Sequence, residues 1–296
     1  MYDQAQILRG MMERRTELAV VEASPASPQP RTVAVTSGKG GVGKSSVALN
    51  LAIALQKMSH NTCLLDANLG LGNIDLLCGL NGYWNLSHVV SGARTVPEIV
   101  LEGPCGVHVV PGASGLLDAA DCSPAALREI LLQLEDFERQ HDYLIIDTGT
   151  GIHRTVRQFV AAAQTTLVVT TPEPTAIADA YATLKVLTAG SQLLQPHLLV
   201  NQAETSGQAR EIIARVQQTA RTFLHATVLS AGSIPRDPAV AQAVVRRKPF
   251  AAEPMRSPAG LAIEHLARRI VNISRPGEDH PSYFAHFNRW IDRKAG

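Results

Sequence analysis

Short apolar runs recur along the chain, each closed by small or polar residues. TVAVTS, TCLLDA, VHVVPG, YLIIDT, TTLVVTT, HLLVNQ and ATVLSAG have the length and β-rich content of buried strands. Between them lie stretches with helical spacing, among them SSVALNLAIALQKM, PAALREILLQLEDF and TAIADAYATLKVL. This alternation fills residues 32–273 and predicts an α/β fold, a doubly wound and mostly parallel sheet with helices on both faces. The two ends depart from it. Residues 1–20 carry a helical pattern, with Ala5, Leu8 and Met12 set among Gln and Arg, and residues 21–31 contain EASPASPQP, which predicts an extended tether. After the loop SRPGEDHPS, residues 274–296 form an aromatic and basic tail.

Composition narrows the class. With 296 residues, 45% of them hydrophobic, the chain can bury one large core or two smaller ones. Its 27 basic and 26 acidic residues nearly cancel, which disfavours direct nucleic-acid binding except through a local patch. Cys63, Cys78, Cys105 and Cys122 form no CxxC pair, a distribution expected of reduced thiols in a cytosolic protein. The histidines show no ligand spacing. No run approaches the ~20 apolar residues needed to span a bilayer, and the N-terminus lacks a signal peptide's apolar centre.

The strongest local signal is TVAVTS running into GKGGVGKSS. Gly38 to Ser45 fit G-x-x-x-x-G-K-S between a predicted strand and a predicted helix. Gly38, Gly40, Gly41 and Gly43 let backbone N–H groups turn inward around phosphates at a helix N-terminus, with Val42 and Ser46 in the same run. Lys44 is placed to bridge the β- and γ-phosphates of a nucleotide, and Ser45 to put its hydroxyl on Mg²⁺. One lysine suffices for that task, and Lys39 is a second.

GKGGVGKS resembles the deviant Walker A loop of the MinD/ParA family. The resemblance implies ATP and Mg²⁺ as ligands and an ATP-dependent homodimer in which Lys39 reaches the partner's phosphates. YLIIDTGTGI resembles the family's D-x-x-x-G-I switch and implies Asp147 in the Mg²⁺ and water shell. DANLGLGNID resembles its other switch, which places Asp66 in that shell too. The position matching Asn68 is normally an aspartate that positions or deprotonates the attacking water. An amide can orient water but takes no proton at neutral pH, so hydrolysis is expected to be slow unless a neighbour such as Asp66 takes the role. By the same resemblance Glu173 reaches the partner's nucleotide, Asn201 reads adenine, and Pro235 and Asp237 flank the base.

Within the family, EPTAIADAYATLKVL, LVNQA and IPRDPAVAQAVVRRKPF resemble the FlhG subgroup, also called FleN or YlxH, which limits flagellar number. DQAQILR resembles the segment through which that subgroup stimulates the signal-recognition-type GTPase FlhF, and Asp3, Gln4, Ala5, Leu8 and Arg9 match it. Relatives also bind a flagellar transcription factor or the C-ring, partners this sequence leaves open. In the tail, Tyr283, Phe284, Phe287, Trp290 and Ile291 fall on or beside one helical face bordered by Arg289, Arg293 and Lys294. That face suits a membrane headgroup region and predicts a peripheral membrane location in the ATP state. Docking on the core, with release on dimerisation, is the competing expectation. Other readings of the whole chain are a MinD- or ParA-like positioning ATPase, a nucleotide-binding regulator with little hydrolysis, and an Mrp-type iron–sulfur scaffold. The last lacks its cysteine pair.

Overall fold

The computed structural model describes residues 30–68, 72–112, 124–190, 194–253, 257–273 and 282–285. Its strands are β1 (Arg31–Ser37), β2 (Thr62–Ala67), β3 (Leu101–Glu102), β4 (His108–Val110), β5 (Tyr143–Thr150), β6 (Thr165–Thr170), β7 (His197–Ala203) and β8 (Leu229–Pro235). The helices are α1 (Lys44–Lys57), α2 (Ile74–Cys78), α3 (Leu86–Val90), α4 (Val96–Ile99), α5 (Pro124–Glu138), α6 (Arg154–Ala161), α7 (Pro174–Gly190), α8 (Ser206–Leu224), α9 (Pro238–Arg246) and α10 (Pro258–Ile273). The strands form one sheet in the order β3-β4-β2-β5-β1-β6-β7-β8. All neighbours are parallel except β3 and β4, which pair antiparallel at one edge.

The mostly parallel α/β sheet expected from the sequence is thus what forms, because both faces are covered. Side chains alternate along each strand, so Val33 and Val35 of β1 enter one core and Ala34 the other. One core takes Ile130, Leu134, Phe159 and Leu184 from α5, α6 and α7. The other takes α1, which is buried continuously from Val47 to Leu55, and Ile263, Leu266 and Ile270 of α10. A helix apolar on all sides is stable only where two layers enclose it.

Three boundaries differ from expectation. β1 begins at Arg31, inside the expected tether, because its N–H donates to the Asp142 carbonyl and its guanidinium to Tyr143 Oη at 2.7 Å. The last strand starts at Leu229, not at Ala226, since Leu229 is where pairing with His197 begins. The third concerns the tail. Tyr283 and Phe284, expected on a membrane-facing surface, are 1% and 2% exposed and belong to the core under α5 and α6. Tyr283 Oη donates to the Phe159 carbonyl at 3.0 Å. Glu138, the last residue of α5, accepts from Tyr283 N–H at 2.8 Å, Ser282 Oγ at 2.7 Å and Phe284 N–H at 3.3 Å. In this structure these two aromatics are docked, which is the competing expectation. Phe287, Trp290 and Ile291 lie outside the described residues, as do Asp3, Gln4, Ala5, Leu8 and Arg9. Among the described residues no helix is long and apolar enough to cross a membrane.

Candidate functional site: a phosphate loop between two carboxylate-bearing strands

β5 lies between β1 and β2, so the carboxyl ends of the three strands open onto the same crevice. The loop after β1 turns into α1 there. Gly43 is the N-cap of α1, with φ +86, no capping side chain and no acidic residue in the first turn. The first N–H groups of α1 therefore have no intrahelical partner and face a positive dipole end, the arrangement that receives an anion. Gly38 is fixed by space: a Cβ there would lie 2.3 Å from the Asp179 carbonyl of α7. The loop is held from the far side by Asn201, whose Nδ2 donates to the Val42 carbonyl at 2.8 Å.

Two carboxylates meet at the mouth. Asp66 and Asp147 are direct register partners on β2 and β5. Lys44 Nζ donates to Asp147 Oδ1 at 2.5 Å, with both side chains buried. Burial pushes the Asp147 carboxyl above the usual range, opposed by Lys44. Its other oxygen, Oδ2, is buried without a hydrogen-bond partner among the described residues. Asp66 accepts from the Asn68 and Ile74 N–H groups at 3.1 and 3.3 Å, yet burial and then the Asp147 charge push it up to about 6. Two desolvated carboxylates, an open acceptor and the adjacent Ser45 hydroxyl form a hard oxygen donor set that fits Mg²⁺. Asn68 stands where both switches meet, its Oδ1 3.8 Å from the point a Cβ on Gly149 would occupy.

Lys39 does not lie over its own loop. Its Nζ pairs with Glu173 Oε2 at 2.6 Å and donates to Thr175 Oγ1 at 3.0 Å. The two residues expected to act across a dimer are thus joined to each other within one chain. Their side chains are 37% and 64% exposed, so the pair contributes less than about 1 kcal/mol and opens readily.

Beside the loop is a cavity of about 570 Å³, lined in part by Gly43, Asn201, Pro235, Asp237 and Phe250. The volume suits a nucleoside. Pro235 and Asp237 reach it as expected, but the Asp237 carboxylate is committed elsewhere. It caps α9 through Ala239 N–H at 2.9 Å and α10 through Ala259 N–H at 3.1 Å. Those bonds hold its carboxyl below the usual range despite partial burial. Its contribution is to fix the wall of the cavity it flanks. Sequence reasoning missed Phe250, Gln202 and Asn50. Asn50 Oδ1 accepts from Ala251 N–H at 2.8 Å and so anchors the Phe250 loop to α1. No local pattern marks a helix asparagine as a loop anchor.

Comparison with known proteins agrees with this geometry. The profile of the ParA family, described as "NUBPL iron-transfer P-loop NTPase", matches residues 29–271. The chain is 37% identical over 263 residues to the antiactivator FleN of Pseudomonas aeruginosa, covering 89% of this chain and 92% of that one. It is 38% identical over 154 residues to the flagellum site-determining protein YlxH of Helicobacter pylori, 52% of each chain. The septum site-determining protein MinD of Pyrococcus horikoshii, solved with Mg-ADP, superposes with a TM-score of 0.66 at 23% identity, over 82% of this chain and 97% of that one.

Proposed function

Because this chain belongs to the ParA family of P-loop NTPases, we propose that it is an ATP-dependent switch controlling the number or placement of flagella, and a slow ATPase. The observation that carries the nucleotide reading is the buried Lys44–Asp147 pair with its open Asp147 oxygen, set at the uncapped N-terminus of α1. The flagellar role is supported by the likeness to FleN and YlxH. ATP lies with its base in the cavity beside Asn201 and its phosphates on the loop N–H groups and Lys44. Ser45, Asp66 and Asp147 would hold Mg²⁺, which when bound neutralises charge on the β- and γ-phosphates.

ATP binding draws Lys44 from Asp147 toward phosphate. Lys39 leaves Glu173 and completes the site of a partner copy, closing a homodimer. The dimer prefers the cytoplasmic face of the membrane through the tail, and the N-terminal segment acts on an FlhF-type GTPase. Asn68 orients the attacking water without accepting its proton, so the ATP-bound dimer is long-lived. The same amide favours a second reading, a nucleotide-binding regulator with almost no hydrolysis.

Steady-state phosphate release, with and without anionic liposomes, tests this reading. Asn68→Asp is expected to raise turnover by roughly 10- to 100-fold. Similar rates in both proteins would remove Asn68 as the brake. Absence of turnover in both, with ATP still bound, would favour the regulator.

A further inference from the structure

Five described residues other than glycine have positive φ: Ser59, Cys105, Gln202, His225 and Arg247. Four of them sit where the chain leaves a helix or turns. His225 and Arg247 are the C-caps of α8 and α9, Ser59 follows the C-cap of α1, and Cys105 lies in the turn before β4. Gln202 is different, with φ +58 inside strand β7. It falls where the register between β7 and β8 breaks, between Val200 and Ala203. Left-handed backbone is unfavourable for glutamine, and no helix end requires it here.

The distortion has a geometric consequence. Consecutive side chains of a regular strand face opposite sides, so two neighbours cannot both line one cavity. Asn201 and Gln202 do. Asn201 Nδ2 is committed to the Val42 carbonyl, whereas the Gln202 carboxamide has no hydrogen bond among the described residues. A strained residue in a binding wall with an uncommitted amide is placed for recognition.

We propose that Gln202 is a base-selecting residue, its carboxamide reading the N6/N7 edge of adenine and so setting a preference for ATP over GTP. The inference rests on the reading of this cavity as a nucleotide site. Adenine offers a donor beside an acceptor on that edge, matching an amide's oxygen and NH₂. Guanine offers two acceptors there, one of which meets the amide oxygen. Guanine's N1–H and amino donors call for a free carboxylate, and of the two in this wall Asp237 is bound to two helix caps and Glu204 pairs with Arg236 at 2.9 Å.

Titration of the full chain with fluorescent ATP and GTP analogues tests this, using wild type, Gln202→Ala and Gln202→Gly. The expected result is a wild-type preference for ATP that both variants lose by about tenfold. The loss should lie in ATP affinity, with GTP affinity changed less than about twofold. Gln202→Gly relaxes the backbone and should melt no lower than wild type. A wild type without preference, or a ratio unchanged in both variants, overturns the proposal and leaves ATP binding intact. A lost ratio accompanied by a lower melting temperature of Gln202→Gly overturns it in favour of a structural role. Failure of the wild type to bind either nucleotide overturns the cavity's assignment as well.

Discussion

Asp147 and Glu138 are both 1% exposed, and burial pushes both carboxyls above the usual range. They are satisfied in opposite ways. Among the described residues Asp147 has one cation, Lys44, on one oxygen and no hydrogen-bond partner on the other. Glu138 has no cation among the described residues, but Ser282, Tyr283 and Phe284 fill both its oxygens with neutral donors. A buried acceptor left open costs about 1–3 kcal/mol, so it persists where something outside the chain is to complete it. A carboxylate whose shell the chain itself completes is part of the architecture. The contrast separates a ligand site from a socket without reference to any relative.

Lys44→Ala should give the largest effect. It leaves Asp147 buried and uncompensated, and the apo protein should lose about 3–5 kcal/mol in urea unfolding at pH 8. The loss should shrink at pH 5, because burial holds the Asp147 carboxyl above the usual range and lower pH favours its neutral form. A uniform loss at both pH values would mean that Lys44 acts by packing, and the comparison would fail at its first member.

Next in size is the pH dependence of the metal-free protein. Asp66 is pushed from 3.8 up to about 6. Between about pH 4 and 6 the folded chain holds a proton that the unfolded chain has released, so stability falls as pH rises through that window, by up to ~3 kcal/mol. Asp66→Asn should flatten this slope, and Glu138, also raised, adds a share of the same sign. Melting curves from pH 4 to about 7 read both.

Glu138→Ala should be the smallest, costing about 2 kcal/mol. Amide exchange should accelerate at Tyr283 and Phe284, with ATP turnover unchanged away from liposomes. Unchanged exchange would show that the aromatics hold the segment unaided and would break the comparison at its second member.

Much of the fold was legible in advance. Apolar runs bounded by polar residues mark parallel strands, and the strand–loop–helix context of Gly38–Ser45 identifies a phosphate loop, because the backbone geometry it needs is local. The antiparallel β3 was not legible, since two residues, Leu101 and Glu102, carry no periodicity. Tyr283 and Phe284 read as part of a lipid-facing stripe, with docking as the competing expectation, because an amphipathic stripe does not say what covers it. Asp237 reads as flanking the base, but its cap on α10 was not legible, since that bond depends on Ala259, 22 residues on.

The sequence by itself determined the α/β order of elements, the phosphate loop, the two strand-end aspartates and the amide at Asn68, all properties of contiguous residues. Only the tertiary structure decided that Asp66 faces Asp147, that Lys39 rests on Glu173, that Glu138 holds residues 282–284, and that Gln202 turns left-handed beside Asn201. Each joins segments distant in the chain or follows from how neighbouring strands register, and the free energy that selects such contacts exists only once the sheet has brought its edges and helices together.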